Sequence, residues 1–188
     1  MTEESENARR YDQLRRLEAR VGVLEKIAVT VPVLVAEVLL VLSLFVPFVV
    51  TKRDGSDVET FNFFQFVGHL LRVDADGDTD GYNLPFGLAF VVLLVVVAGS
   101  ILLLPYVTRG PLSATLTRVV TAAVALLVLG SAGGWAALGI GLRFDSREEA
   151  AAAPLLLALG ALVAALVTFL PAYRKVWAAR GDKPRDAR

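Results

Sequence analysis

The chain has 188 residues, 55% of them hydrophobic, with 19 basic and 19 acidic side chains, a mean hydropathy of +0.60 and no cysteine. Ordinary globular chains are about 45–50% apolar with glycine counted, so the excess points to a membrane rather than to a soluble core. The lack of cysteine excludes disulfides, thiolate metal sites and cysteine nucleophiles, and the balanced charge gives no sign of a nucleic-acid partner.

The apolar excess falls in four blocks, 27–50, 84–106, 116–142 and 150–172. About 20 apolar residues rising 1.5 Å each cross a hydrocarbon core of roughly 30 Å, so each block can form a spanning helix. The predicted fold is all-α, an integral membrane four-helix bundle over 27–172 with an external loop at 51–83. Residues 1–26 and 173–188 form a charged helix and a basic tail on the other side. With an even number of spans, both termini share that side. It carries fourteen of the Lys and Arg residues against five opposite, which places both termini in the cytoplasm of a plasma membrane. The first run lies behind 26 charge-rich residues and is too long for a signal-peptide core, so it reads as a retained helix.

Residues 2–26 read as a helix that continues into the first span. Leu14, Leu17, Val21, Leu24 and Ala28 recur at alternating spacings of 3 and 4, an a/d seam for self-association. Glu6 with Arg10 and Asp12 with Arg16 are acid-to-base pairs one turn apart. The alternatives to self-association are a helix lying along the membrane surface or one packed on the second cytoplasmic loop.

Glu37 lies at the middle of the first run. A charge at that depth costs about 2.5–3.5 kcal/mol on insertion scales, so it needs a proton, a partner or a water-filled cavity. Three readings follow: a structural hydrogen bond to a backbone carbonyl or to Ser100, Thr121 or Ser131; a contact with a partner protein; or a proton or cation pathway. Pro32 frees a carbonyl near residue 28 and is placed to kink the helix close to Glu37.

In the external loop, Ser56 and Glu59 have the spacing of a capping box. A helix over about 57–72 is expected, with Phe61, Phe64, Gly68 and Leu71 on one stripe, lying in the outer interface or closing the bundle. The alternative is a hairpin containing residues 60–66, since Phe and Thr favour strands. Next, Asp74, Asp76, Asp78 and Asp80 alternate with small residues and resemble the first half of a calcium loop. Position 12 of such a loop would be Gly87, where a bidentate Glu is required. Two readings therefore remain, a weak calcium site completed by Glu59 or water, and a solvated acidic loop; no other cofactor is predicted. His69 is the only histidine, which excludes a multi-histidine metal site within one chain.

The second run is apolar all round and is expected to face lipid most. The third carries Gly130 with Gly134, and Gly133 with Ala137 and Gly141; the fourth carries Gly160 with Ala164. In lipid, close backbone approach through small residues drives helix association. The expected pairing is between the third and fourth spans, and the alternative is homo-oligomerisation. Trp135 is expected to fill space beside these glycines, and Tyr173 and Trp177 to form an inner aromatic belt.

Zinc-protease, nucleophile-elbow, phosphate-loop and dinucleotide signatures are all absent from the sequence. The expected function is that of a non-enzymatic accessory or scaffold subunit, bound to a membrane protein partner or to itself. The alternatives are a small cation or proton channel or transporter subunit using Glu37, and a calcium-responsive membrane sensor. In outline the chain resembles tetraspan proteins such as the claudin-like group: four spans, both ends inside and a larger first external loop. The tryptophan and paired cysteines of the claudin first loop are missing, so the resemblance covers topology and implies no residue roles.

Overall fold

One helix, α1, runs without interruption from Glu3 to Phe45, 43 residues or about 65 Å at 1.5 Å per residue. The computed structural model of the chain describes residues 3–52, 58–75, 83–109, 112–144, 148–171 and 173. The predicted continuation of the N-terminal helix into the first apolar run is present. From Val29 onward α1 packs against other helices through Val29, Val33, Ala36 and Leu40, while residues 13–28 are exposed apart from half-buried Gly22.

The helix stops five residues before the first apolar run ends. Pro47 has no N–H to donate, and its ring disfavours helical backbone at Val46. The chain then enters strand β1, Pro47–Lys52, whose Val49, Val50 and Thr51 are β-branched and suit a pleated surface. Strand β2, Val58–Asn62, pairs with it antiparallel, with Val50 opposite Thr60. On the other side β1 pairs antiparallel with a third strand, β3, Glu148–Ala150, Val50 lying opposite Glu149. The register slips between Pro47 and Val49, and the Phe48 carbonyl accepts from the Ala151 N–H at 3.1 Å.

A three-stranded sheet ordered β2-β1-β3 therefore corrects the all-α expectation. It also takes the first residues of the helix expected over about 57–72, of which 63–72 is helical. Glu59 lies in β2, and Ser56 falls outside the described residues. Helix α2 begins six residues later and spans Phe63–Ala75. Its N-terminus is capped reciprocally by other residues: the Asn62 N–H donates to Gln65 Oε1 at 3.0 Å, and the Gln65 N–H donates to Asn62 Oδ1 at 2.9 Å. This is the capping-box geometry with Asn and Gln in its two roles.

Three further helices follow, α3 over Asn83–Arg109, α4 over Ala114–Phe144 and α5 over Ala153–Phe169. The protein is mostly helical, and among the described residues three helices are long and apolar enough to cross a membrane, in the segments 13–45, 85–109 and 114–136. Helix α5 is as apolar but has 17 residues, about 25 Å. It packs most extensively against α1 and next against α4, while α3 packs against α4, α2 and α1. Among the described residues, the apolar window of α4 is the least buried of the three, 22% against 33% for those of α1 and α3. The second apolar run is thus not the most exposed, because α2 and α4 cover one stripe of it through Phe90, Leu93, Val97 and Leu104.

Candidate functional site

The titratable side chain set deepest along the packed helices is Glu37 on α1. One turn of the helix alternates the buried Ala36 and Leu40 with exposed Val38, and Glu37 sits half-buried at the edge of the packed face. Its Oε1 is enclosed by protein and has no hydrogen-bond partner. Two hydroxyls share this condition, Ser100 Oγ on α3 and Thr168 Oγ1 on α5. Ser100 is 1% exposed and Thr168 is 3% exposed.

Of the three hydroxyls expected to serve Glu37, two are committed elsewhere. Thr121 donates to the Thr117 carbonyl at 2.8 Å, and Ser131 to the Val128 carbonyl at 3.0 Å. Such back-bonding to the preceding turn is the usual fate of a helical hydroxyl, and Ser43 follows it by donating to the Leu40 carbonyl at 2.7 Å. Ser100 does not, and it is left with a hydroxyl directed at the interior. Glu37 lies eight residues, about 12 Å, inward from the end of α1 at Phe45, and Ser100 ten residues, about 15 Å, inward from Phe90. Phe45 meets Phe64 of α2 at 6.0 Å between ring centroids and Phe90 meets Phe63 of α2 at 5.9 Å, so both distances are counted from α2.

The cap is an aromatic plug. Phe48 of β1 meets Phe63 at 5.1 Å, Phe66 at 5.5 Å and Phe90 at 5.8 Å between ring centroids, mostly edge to face. Phe63 and Phe66 close on Phe90 at 5.9 and 5.3 Å. The sheet and the Asn62–Gln65 cap deliver these rings: β1 carries Phe48 inward at its bulge, and α2 starts where Phe63 and Phe66 fall on its inner side. Tilted and edge-on pairs at these distances contribute about 0.5–1.5 kcal/mol each beyond area burial. On the same helix and strand, an open groove of about 650 Å³ is lined by Glu59, Thr60, Phe61, Phe64, Gln65, Gly68 and His69. His69 is exposed and stacks on Phe61 at 5.4 Å.

The small residues lie at separate contacts. A Cβ on Gly160 would stand 3.0 Å from Leu40 Cγ and 3.3 Å from Leu39 Cβ, so this glycine seats α5 on α1. A Cβ on Gly130 would stand 2.7 Å from Leu93 Cδ1, and one on Gly134 3.6 Å from Leu93 Cδ2, so these two face α3. The third and fourth spans do pack against each other as expected, but Gly130 and Gly134 face α3 and Gly160 faces α1. Ala164 is fully buried on the face of α5 that carries Gly160, whereas Gly133 is exposed and has nothing within 4 Å of its Cβ position. The α4–α5 contact is tied by Trp135 instead, whose Nε1–H donates to the Pro154 carbonyl at 3.0 Å. The side chains of Ala137 and Gly141, and Trp177, lie outside the described residues.

Leu14, Leu17, Val21 and Leu24 are brought together as a stripe on the exposed arm of α1, each more than half exposed. Asp76, Asp78 and Asp80, with the side chain of Asp74 at the end of α2, and so the calcium reading, lie outside the described residues. Among the described residues, no three His, Cys, Asp or Glu side chains converge. Ser100 was legible in the sequence as one of several hydroxyls. Thr168 stands between Val167 and Phe169 in an apolar run and carries no sequence signal that sets it apart. No protein-family model, no curated protein and no solved structure matches the chain.

Proposed function

We propose that the chain is a non-enzymatic, multi-pass plasma-membrane protein that serves as an accessory or scaffold subunit of a membrane complex. The observation that carries this reading is the arm of α1, a helix that leaves the packed body with Leu14, Leu17, Val21 and Leu24 open to solvent. Apolar side chains displayed in this way on a helix outside its own core mark an interface with another chain, as a subunit of an assembly requires. In this reading α1, α3, α4 and the shorter α5 all cross the bilayer, with both termini cytoplasmic by the excess of Lys and Arg on that side. The stacking of Arg109 on the Tyr106 ring, 5.3 Å from its centroid, supports a headgroup boundary at the end of α3. Purification of the full chain from its membrane in mild detergent tests the proposal. A second membrane protein in fixed ratio is expected, and recovery of this chain alone overturns it.

A second reading rests on Glu37 and Ser100, two unpartnered polar groups on α1 and α3. It makes the protein a small cation or proton channel or transporter subunit. Glu37→Gln separates the two, because it keeps the side chain's size and hydrogen-bonding ability but removes the charge and the transferable proton. Flux into reconstituted vesicles collapses if Glu37 conducts, and co-purification of the partner is unchanged if the protein is a scaffold.

A further inference from the structure

The a/d spacing that begins at Leu14 does not end with the arm. Continued in steps of 3 and 4 it passes Ala28 and reaches Val31, Val35, Val38 and Leu42 in the apolar half of α1. All of these are exposed, and the leucines and valines from Leu14 to Leu42 are each 43–65% exposed. The face that packs into the protein is a different one, marked by Val29, Val33, Ala36 and Leu40. At 100° per residue the two faces are centred about 150° apart. Helix α1 thus gives one side to its own fold and leaves an apolar seam of more than four heptads on nearly the opposite side.

From this we infer that the seam is the interface between two parallel copies of this chain, a two-stranded coiled coil that starts in the arm and continues along the membrane half of α1. Three observations select a second copy as the occupant. Valine at a (Val21) with leucine at d (Leu17, Leu24) favours two parallel strands. Exposed Arg20 at g and Glu25 at the following e are opposite in charge, so each copy's Arg20 faces Glu25 of the other in a parallel register. Copies inserted with the same orientation also project their arms on the same side of the membrane, which permits only the parallel arrangement. Lipid does not fit the arm, because an uninterrupted helix that rises out of a spanning segment leaves the surface instead of lying on it. The inference rests on the membrane-spanning reading above and gives the stripe of the arm to a second copy of this chain, so the other membrane protein of the scaffold reading meets the dimer on a different surface.

The chain has no cysteine, so single-cysteine variants of the full-length protein report contacts directly. In native membranes under mild oxidation, Leu17→Cys and Val21→Cys are expected to form homodimers at least about tenfold more readily than Ala19→Cys, which points away from the seam. Arg20→Glu added to Leu17→Cys puts two carboxylates at each g–e contact and is expected to lower the yield at least about fivefold. Adding Glu25→Arg restores the opposite charges and is expected to recover the yield. Equal yields at positions 17, 19 and 21, cross-links only to a different protein, or no rescue by the charge swap each overturn the proposal. Recovery of the chain in the soluble fraction would instead overturn the membrane reading on which it rests.

Discussion

Gly160 of α5 sits so close to Leu40 of α1 that a Cβ would stand 3.0 Å from the leucine's Cγ and 3.0 Å from its Cδ2, with Leu39 Cβ at 3.3 Å. Two of these three atoms lie at the stiff base of a side chain, so the neighbour has little room to give. Gly160→Val is expected to destabilise the fold by about 1–3 kcal/mol, the usual cost of overpacking. Gly133→Val meets open space and is expected to change stability by less than about 0.5 kcal/mol. Thermal unfolding in one detergent compares the two, and an equal loss for both would sink the argument.

Ser100 and Ser43 are both 1% exposed, yet only Ser43 spends its hydroxyl on a carbonyl. A buried polar group without a partner costs about 1–3 kcal/mol, and a satisfied one contributes about 0.5–1.5 kcal/mol. Ser100→Ala is therefore expected to leave stability unchanged or raise it by about 1 kcal/mol, and Ser43→Ala to lower it by a similar amount. Denaturant midpoints in the same detergent decide between this order and its reverse.

Asn62 links the sheet to α2, since it ends β2 opposite Pro47 and also exchanges two hydrogen bonds with Gln65. Asn62→Ala is expected to cost about 0.5–2 kcal/mol, and Asn62→Asp much less because the capping oxygen remains. Amide hydrogen exchange over the first turn of α2 should rise in the alanine variant alone. If both variants exchange alike, the cap is not what holds that turn.

Phe63 is fully buried within the aromatic plug, touching Phe48 and Phe90 edge to face. Phe63→Ala is expected to cost about 3–5 kcal/mol, and Phe63→Leu about 1.5 kcal/mol or less because the volume is largely kept. Unfolding midpoints check the order. Equal losses would mean that the plug is held by its backbone and not by its rings.

The helices were readable because hydropathy over twenty or more residues leaves few alternatives for a backbone that must satisfy its own hydrogen bonds. The long reach of α1 was readable from spacing alone. What escaped was the sheet. Pro47 and the β-branched residues after it were hidden inside a run apolar enough to count as span, although a proline there is a reason for the helix to stop at Phe45. Glu148, Glu149 and Ala150 are poor strand formers and pair only because β1 is beside them, so no local signal existed. The cap was sought at Ser56 and Glu59, but Asn62 and Gln65 carry the same spacing immediately before the observed helix. The spacing of the glycines is plain in the sequence, but which helix each one meets depends on tertiary arrangement, and Gly133 meets none within 4 Å.

Strand β1 follows α1 directly, β3 immediately precedes α5, and the two strands are neighbours, so the sheet fastens the same two helices that Gly160 and Leu40 bring together. More than a hundred residues separate these partners along the chain. During synthesis α1 must therefore wait in the membrane, with its packing face bare and Glu37 set beside it, until α3 and α4 have been made and α5 arrives to cover it. Any chain interrupted before α5 is made lacks the helix that covers α1 most extensively, and leaves that face of an acidic helix open.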